Sequence, residues 1–245
     1  RPDLPPFALT TLDQRERLLA AAGADAMLAI PFDEALAALS PEAFVGVLTQ
    51  RFGATGVVTG GDFTFGRNRA GDTAMLAALG AKAGLAAEVV SPVSDGAGTI
   101  SSTRIRKALV DGDCATATAL LSRPFTIEGV VIHGDKLGRT IGYPTANLAL
   151  EDYQRPRYGI YAVRGRLADG RVLEGAANLG IRPSFDPPKE LLEPYFFDFS
   201  GDLYGQVIAV ELIAFLRPEA KFDTLESLVA QMDSDCAEAR RILNS

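Results

Sequence analysis

Cysteine and histidine are scarce in this sequence of 245 residues. It contains two cysteines, Cys114 and Cys236, and a single histidine, His133. The cysteines lie far apart in helix-like segments, so neither a disulfide framework nor a zinc site is indicated. Unpaired thiols of this kind suit a reducing compartment, and we expect a cytoplasmic protein.

Acidic residues outnumber basic residues, and the sequence lacks long apolar runs. Lys and Arg total 24 against 31 Asp and Glu, a net charge of −7. Because nucleic-acid and anionic-membrane surfaces depend on clustered positive charge, we expect neither kind of partner. No signal peptide or membrane-spanning run is evident. The sequence begins with Arg-Pro rather than Met, and we expect it to be part of a longer protein.

The first half alternates helix-like and strand-like segments. Helices are predicted over residues 11–22 and 73–83, and buried strands over 26–30, 56–59 and 87–93. This alternation is typical of a parallel sheet with helices on its faces. The length of the chain and its 47% hydrophobic residues allow this α/β domain and a second domain.

The second half changes to strands followed by one helix. Apolar or alternating runs, divided by Gly, Asp and Pro, cover residues 125–133, 160–167, 171–179, 194–199 and 207–216. They predict an antiparallel β-barrel. A final helix is expected after a capping box formed by Asp223 and Glu226, with an apolar stripe that packs against the barrel. The stripe comprises Leu225, Leu228, Val229, Met232, Cys236 and Leu243.

A glycine-rich segment, residues 134–147, lies near the start of the second half. Gly134, Gly138 and Gly142 recur at every fourth position and are followed by the tetrapeptide Pro-Thr-Ala-Asn. Glycine lets the backbone approach a ligand closely, and the polar groups between the glycines suit phosphate. These groups belong to Asp135, Lys136, Arg139 and Thr140. An ordinary surface turn remains an alternative, since neither common nucleotide-loop pattern is present.

The first half carries a motif after the strand that ends at Thr59. The motif contains Asp62, Phe63 and Phe65, at the edge where a parallel sheet binds ligands. Two phenylalanine rings suit a planar ligand, and a carboxylate suits its polar edge. The alternative is that both rings are core residues beside a turn.

A second motif of the first half, residues 100–106, places hydroxyl groups before two arginines. Ser102 and Thr103 stand at a predicted helix start, and Arg104 and Arg106 follow. Unpaired backbone N–H groups and guanidinium groups together favour an anion. A simple helix cap with exposed arginines explains the same residues.

Residues of the second half together resemble the riboflavin kinase family. The shared residues are the glycine-rich segment, Asn178 to Phe185, Leu192-Glu193, Asp202 to Gly205 and Phe215 to Glu219. They follow one another in unbroken order over about the last half of the chain. The resemblance implies a Greek-key antiparallel barrel with a C-terminal helix, which phosphorylates riboflavin to FMN with ATP and Mg2+.

The resemblance also implies roles for individual residues. ATP phosphates would contact Gly134, Asp135, Lys136, Gly138, Arg139, Gly142, Pro144, Thr145 and Asn147. Thr145 and Asn147 would hold Mg2+, a cation that prefers oxygen ligands. Without the resemblance, local turn chemistry explains these two side chains. Glu193 stands among apolar residues at the position of the family's catalytic glutamate, so it would take the proton from the riboflavin 5′-hydroxyl.

The two motifs of the first half resemble the FMN adenylyltransferase domain of bacterial bifunctional riboflavin kinase/FAD synthetases. That domain is a Rossmann-like nucleotidyltransferase. The resemblance places Asp62 and Phe63 near the flavin, and places the phosphates near Ser102, Thr103, Arg104 and Arg106. It implies an adenylyltransferase domain over residues 1–121 and a kinase domain over residues 122–245.

One departure from that family concerns the His-x-Gly-His motif that contacts ATP. The only histidine of this sequence, His133, lies in the other half. We therefore expect an incomplete first domain, with adenylyl transfer belonging to the full-length parent. A monofunctional riboflavin kinase and a non-catalytic flavin-binding regulatory module are the alternatives. The expected ligands are riboflavin, FMN and ATP, and the oligomeric state is left open.

Overall fold

Residues 6–134, 137–182 and 189–245 are described in a computed structural model of the chain. Of the predicted site residues, Asp135 and Lys136 lie outside this described part, and so does the side chain of Arg139. The chain divides into two units, Ala24–Ile100 and a larger one made of Arg1–Gly23 with Ser101–Ser245. Within the described ranges, no helix is long and apolar enough to span a bilayer.

The helices and strands are numbered along the chain. The α-helices are α1 (Leu12–Ala21), α2 (Glu34–Ala37), α3 (Pro41–Gly46), α4 (Thr73–Ala83), α5 (Ser102–Asp111), α6 (Cys114–Leu121), α7 (Leu137–Thr140) and α8 (Leu225–Leu243). The strands are β1 (Gly56–Gly60), β2 (Ala86–Val90), β3 (Ser94–Asp95), β4 (Gly98–Thr99), β5 (Phe125–Val130), β6 (Leu148–Ala149), β7 (Gly159–Arg166), β8 (Val172–Arg182), β9 (Lys189–Phe196) and β10 (Val207–Arg217). A π-helical turn over Val47–Arg51 and a 3-10 turn over Arg67–Arg69 complete the helical segments of the described part.

The unit Ala24–Ile100 contains a parallel strand pair joined through a helix. Strands β1 and β2 pair in parallel, and α4 lies between them in sequence. Such a strand–helix–strand connection confirms the predicted α/β character of the first half. The strand predicted over residues 26–30 is wrong: these residues form no strand, and Leu28 and Ile30 are exposed. Apolar composition alone does not provide a partner strand for the backbone hydrogen bonds.

The larger unit contains a six-stranded antiparallel barrel. Its strand order is β5-β10-β7-β8-β9-β6, and every neighbouring pair is antiparallel. An isolated antiparallel bridge between Ile132 and Asn147 brings the two edges together and nearly closes the barrel. The predicted β-barrel is therefore confirmed. The strand predicted over residues 194–199 is wrong in its bounds, because β9 starts five residues earlier, at Lys189.

Helix α8 packs on the outer face of the barrel over a row of alanines. Ala214, Ala162 and Ala176 occupy opposite positions on β10, β7 and β8. Ala239 and Leu243 of α8 belong to the same buried cluster. Small side chains on the strands let the helix approach closely, which confirms the predicted packing. Leu225 departs from the predicted stripe, since it is 56% exposed.

The start of α8 differs from the predicted capping box. The side chain of Thr224 accepts a hydrogen bond from the backbone N–H of Ser227 over 3.1 Å. The cap is thus Thr224, one residue after the predicted Asp223. Both residue types cap helices, so the sequence alone did not decide between them.

Elements from the first half of the chain also pack on the barrel. Gln14 of α1 is 4% exposed, donates to the carbonyl of Thr126 over 3.1 Å and accepts from the hydroxyl of Tyr153 over 2.7 Å. The carbonyl of Leu109, in α5, accepts from the backbone N–H of Arg157 over 2.9 Å. Helices α1, α5 and α6 therefore belong to the barrel unit, while the domain boundary after residue 121 stays a prediction.

Candidate active site

The end of the glycine-rich segment runs beside the strand that carries Glu193. The backbone N–H of Ala146 donates to the carbonyl of Pro194 over 2.9 Å. Directly afterwards, β6 pairs antiparallel with β9, with Leu148 opposite Leu192. Barrel pairing therefore places residues 144–147 alongside Glu193, although 45 residues of sequence separate Leu148 from Glu193.

Two glycines of this segment lie against its own polar residues. A methyl group on Gly134 would lie 2.7 Å from the side-chain nitrogen of Asn147, which is 4% exposed. A methyl group on Gly138 would lie 2.3 Å from the carbonyl oxygen of Tyr143, whose N–H donates to the Gly138 carbonyl over 2.7 Å. A larger side chain at either position would push these neighbours away. Only glycine therefore allows α7 to pack against the Pro-Thr-Ala-Asn tetrapeptide.

A cavity of about 810 Å3 opens between the barrel and α8. Several residues predicted from the sequence line it together: Gly134, Gly138, Thr140, Pro144, Thr145, Asn147 and Glu193. Gly142 is outside this lining and adopts a left-handed backbone conformation with φ of +88°. In the described structure, Gly142 therefore allows the backbone to turn and does not contribute to the cavity surface.

The floor of the cavity is a row of side chains across four strands. Arg217, Ile160, Asn178 and Glu193 occupy successive opposite positions on β10, β7, β8 and β9. Opposite residues of antiparallel strands share one face of the sheet, so all four face the same side. The side-chain oxygen of Asn178 is buried and has no hydrogen-bond partner among the described residues.

Charged residues that the sequence analysis did not assign also line this cavity. Arg182 donates to the carboxylate of Glu193 through both Nε and Nη2, and its Nη1 lies 3.5 Å from Oε1 of Glu219. Arg217 donates to Asp235 of α8, with Nη2 2.7 Å from Oδ2. Arg182 lies within the motif 178–185 that resembles the kinase family, but nothing in the motif revealed its partner. Residues 183–188 lie outside the described part.

An aromatic contact connects the glycine-rich segment to β9 and α8. The ring of Tyr143 meets that of Tyr195 edge-on, with centroids 5.0 Å apart. Its hydroxyl donates to Asp233 of α8. This hydrogen bond, together with burial, raises the pKa of Tyr143 far above its ordinary value, so the phenol stays protonated.

A second cavity of about 490 Å3 adjoins the same tetrapeptide. Pro144, Thr145 and Tyr204 line both cavities. The ring of Tyr204 lies against His133, with centroids 3.9 Å apart. Thr145 therefore stands where two cavities meet, a position suited to a group that bridges two bound molecules.

The motif after β1 lies in the unit Ala24–Ile100. Asp62 is exposed just beyond the carboxyl end of β1, and its contact with a ligand stays a prediction. Phe63 stacks on Phe65 with centroids 5.8 Å apart, and both rings pack near Phe44. Phe65 is 5% exposed, so core packing accounts for this ring. A flavin contact at Phe63 stays a prediction.

The second motif of the first half begins α5 in the barrel unit. Ser102 and Thr103 are exposed in its first turn, and the N–H of Arg104 donates to the hydroxyl of Ser101 over 3.4 Å. Arg106 donates through Nε to the carbonyl of Phe7 over 3.0 Å. Ser101 thus caps the N-terminus of α5, as the helix-cap alternative expects. Phosphate binding at this motif stays a prediction.

The acidic side chains of the described residues do not assemble a metal cluster of their own. Among the described residues, no group of three or more His, Cys, Asp and Glu side chains is placed to hold a metal ion. The oxygen donors of the tetrapeptide in the cavity are the hydroxyl of Thr145 and the carboxamide of Asn147. This donor set is neutral and suits a cation that keeps water or phosphate oxygens as further ligands.

Comparison with known proteins gives matches over both halves. A family model described as riboflavin kinase matches residues 121–243, and one described as FAD synthetase matches residues 1–104. A bifunctional riboflavin kinase/FMN adenylyltransferase of Haemophilus influenzae is 38% identical over 241 residues, which cover 98% of this chain and 78% of the relative. The protein of the same description from Escherichia coli K12 is 39% identical, with 97% and 76% covered.

A solved structure matches as well. A crystal structure described as a macrolide-efflux protein from Streptococcus pneumoniae has a TM-score of 0.82 and 34% sequence identity, covering 93% of this chain and 73% of that one. The two family models and the extended identity agree on one assignment. The chain belongs to the family of bifunctional riboflavin kinase/FMN adenylyltransferases.

Proposed function

We propose that the barrel unit transfers the γ-phosphate of ATP to the 5′-hydroxyl of riboflavin and so forms FMN. The observation that carries this proposal is the hydrogen bond from Ala146 to Pro194. It places the oxygen donors of Thr145 and Asn147 beside the strand of Glu193, around one cavity. Phosphoryl transfer needs this combination, because phosphate must be held and neutralised next to an activated hydroxyl.

Each part of the cavity has a task in this reaction. The backbone near Gly134 and Gly138 approaches the ATP phosphates, for which Asp135, Lys136 and Arg139 remain proposed contacts. Glu193 accepts the proton of the attacking hydroxyl as the new P–O bond forms. Burial of the site between barrel and α8 keeps water from competing with riboflavin for the phosphoryl group.

We propose Thr145 and Asn147 as the protein ligands of Mg2+. Their hydroxyl and carbonyl oxygens are hard donors, and both side chains line the cavity. When bound, Mg2+ neutralises phosphate charge. The buried carboxamide of Asn147 is held beside Gly134, so its donor atom is positioned before any ligand arrives.

The second proposed activity is the adenylylation of FMN to FAD. The FAD synthetase match over residues 1–104 supports it. Asp62 and Phe63 are the proposed flavin contacts, and the phosphate contacts are Ser102, Thr103, Arg104 and Arg106. We assign this activity to residues 1–121 and the kinase to residues 122–245, in a cytoplasmic protein.

The test uses the whole chain, because α1 and α5 pack on the barrel and a segment starting at residue 123 would lose them. FMN formation is measured by chromatography with riboflavin, ATP and Mg2+. Glu193→Gln should lower kcat by about 10²- to 10⁴-fold, the usual contribution of a general base. Glu190→Gln is the matched control, since Glu190 lies on the same strand and pairs with Arg155 away from the cavity.

A non-catalytic flavin-binding module is the rival from another class. Calorimetry distinguishes it: a module binds riboflavin without binding ADP and Mg2+, whereas the kinase binds both. A folded chain that forms no FMN, or a Glu193→Gln variant with unchanged turnover, would overturn the proposed mechanism. Formation of FMN without FAD would favour a monofunctional kinase.

A further inference from the structure

A carboxamide in the cavity floor carries an oxygen that no donor reaches. Asn178 lines the cavity between the barrel and α8, and its Oδ1 is buried without a hydrogen bond from any described residue. A buried acceptor in this state is unfavourable, because it has lost its hydrogen bonds to water. Such groups are uncommon in native proteins, and a role in binding or catalysis is one explanation for them.

The neighbours of Asn178 in the floor do not supply the missing donor. On β7 it lies opposite Ile160, whose side chain has no polar atom. On β9 it lies opposite Glu193, whose carboxylate offers acceptors only. Arg182 of the same strand donates to Glu193 instead. The described part of the floor therefore leaves Oδ1 of Asn178 for a donor that enters the cavity with a ligand.

The carboxamide of Asn178 is free to turn its oxygen toward such a ligand. No hydrogen bond from the described residues holds Oδ1, and the torsion that rotates an asparagine carboxamide has a broad energy minimum. Opposite residues of antiparallel strands have Cβ atoms about 4.5–5.5 Å apart. The carboxamide of Asn178 and the carboxylate of Glu193 therefore meet adjacent positions of one bound chain.

We propose that Oδ1 of Asn178 accepts a hydrogen bond from the 4′-hydroxyl of riboflavin, which makes Asn178 a specificity-determining residue for the polyol chain. The inference rests on the proposed function, in which the 5′-hydroxyl faces Glu193. The 4′-hydroxyl is on the neighbouring carbon, so two successive hydroxyls meet two adjacent side chains of the floor. The 4′-hydroxyl supplies the donor that Oδ1 lacks, and its contact holds the reacting end of the chain in place.

A comparison of riboflavin with 4′-deoxyriboflavin tests this contact in the unaltered chain. The deoxy compound keeps the reacting 5′-hydroxyl and lacks only the proposed donor. Chromatography measures phosphorylation of each flavin with ATP and Mg2+. The kcat/KM for 4′-deoxyriboflavin should be about 5- to 100-fold lower, the effect of leaving a buried acceptor unpaired. Equal values of kcat/KM for the two flavins would overturn the inference.

Asn178→Leu removes the acceptor from the protein side. Its kcat/KM should fall for riboflavin and change little for 4′-deoxyriboflavin, which has no 4′-hydroxyl whose contact could be lost. Leucine has a similar shape without polar atoms, so the urea midpoint of unfolding should equal or exceed that of the wild type. A lower midpoint, together with equal losses of kcat/KM for both flavins, is the result of a purely structural role and would overturn the inference.

Thr59→Val is the matched control. Oγ1 of Thr59 is also a buried side-chain oxygen without a partner among the described residues, but it lies in the unit Ala24–Ile100. This variant should keep the wild-type preference for riboflavin. If Asn178→Leu does not fold, Asn178→Ala replaces it in the same comparison.

The outcomes separate the inference from the proposed function. If the folded wild-type chain phosphorylates neither flavin, the proposed function fails, and the inference fails with it. If it forms FMN from riboflavin but does not distinguish the two flavins, the inference alone is overturned. A preference for riboflavin that Asn178→Leu abolishes and Thr59→Val retains supports the inference.

Discussion

Tyr143 donates its hydroxyl hydrogen to the carboxylate of Asp233, and this bond joins the glycine-rich segment to α8. Tyr143 is 9% exposed and directly precedes the Pro-Thr-Ala-Asn tetrapeptide. The position of the proposed Mg2+ ligands therefore depends on a helix about 90 residues further along the chain. Nucleotide binding and the packing of α8 are expected to be linked through this contact.

Tyr143→Phe should weaken ATP binding and lower stability. The change removes one hydrogen bond to a carboxylate, so we expect a loss of about 1–2 kcal/mol in the free energy of unfolding. Urea denaturation measures the loss, and the KM for ATP should rise. Tyr158→Phe is the control, because Tyr158 also donates to a carboxylate, that of Glu190, and neither residue lines the cavity. Equal changes of KM in both variants would contradict the link.

Thr145→Ala should lower turnover and raise the Mg2+ concentration needed for half-maximal rate. The methyl group of alanine cannot replace the hydroxyl oxygen as a ligand. Thr145→Ser keeps that oxygen and should restore most of the activity. A Thr145→Ala enzyme with an unchanged Mg2+ dependence would exclude the hydroxyl as a ligand.

Gly138→Ala should reduce affinity for ATP while leaving the barrel folded. Its methyl group would meet the Tyr143 carbonyl at 2.3 Å, so α7 must move away from the tetrapeptide. Gly46→Ala is the matched control, because a methyl group there meets nothing within 4 Å. Calorimetry with ADP and Mg2+ measures the effect. Similar affinities in the two variants would show that close packing of α7 is not required.

Glu190 should make stability depend on pH in the acid range. Hydrogen bonds from Arg155, opposed by burial, and from Tyr158 lower the pKa of Glu190 below its ordinary value of 4.5. The unfolded chain therefore binds this proton more readily, and the stabilisation is present above pH 4.5 and lost as pH falls through the lower folded-state pKa.

Glu190→Gln provides the measurement for this prediction. The difference in free energy of unfolding between wild type and variant should be largest near neutral pH and should shrink on acidification below about pH 4. Urea denaturation across this pH range detects it. If the difference in free energy of unfolding does not change with pH, the charge of Glu190 contributes nothing and the side chain stabilises the fold through packing alone.

Some features of the site were accessible from sequence, because they depend on residue types in local order. The three glycines predicted a close backbone approach to a ligand, which stays a prediction; the structure shows Gly134 and Gly138 packed closely against residues of the same segment. Glu193 was identified through its apolar sequence neighbours and through the resemblance to the kinase family. Its proximity to the tetrapeptide depends on the pairing of β6 with β9, which no local pattern indicates.

Other features depended on irregular strand geometry. Between Phe215 and Arg217 the register of β10 on β7 shifts, so Arg217 rather than Leu216 lies opposite Ile160. This bulge turns Arg217 toward the cavity, whereas simple alternation of side chains would place Leu216 on that side of the strand.

The proline of β9 misled the prediction of that strand. Pro194 was predicted to start the strand, yet it lies inside it, opposite Ala177. Proline lacks a backbone donor, which made the interior position hard to recognise.

The packing of α8 on the alanine row has a consequence for biosynthesis. The barrel strands that form the cavity floor all precede α8 in the chain. Because a domain generally folds as one unit, the barrel and α8 are expected to fold together. A chain that ends before α8 would leave Ala162 and Ala176 without the helix that buries them and the cavity without one of its walls. A nascent chain therefore gains the complete cavity only when its last residues have been synthesised.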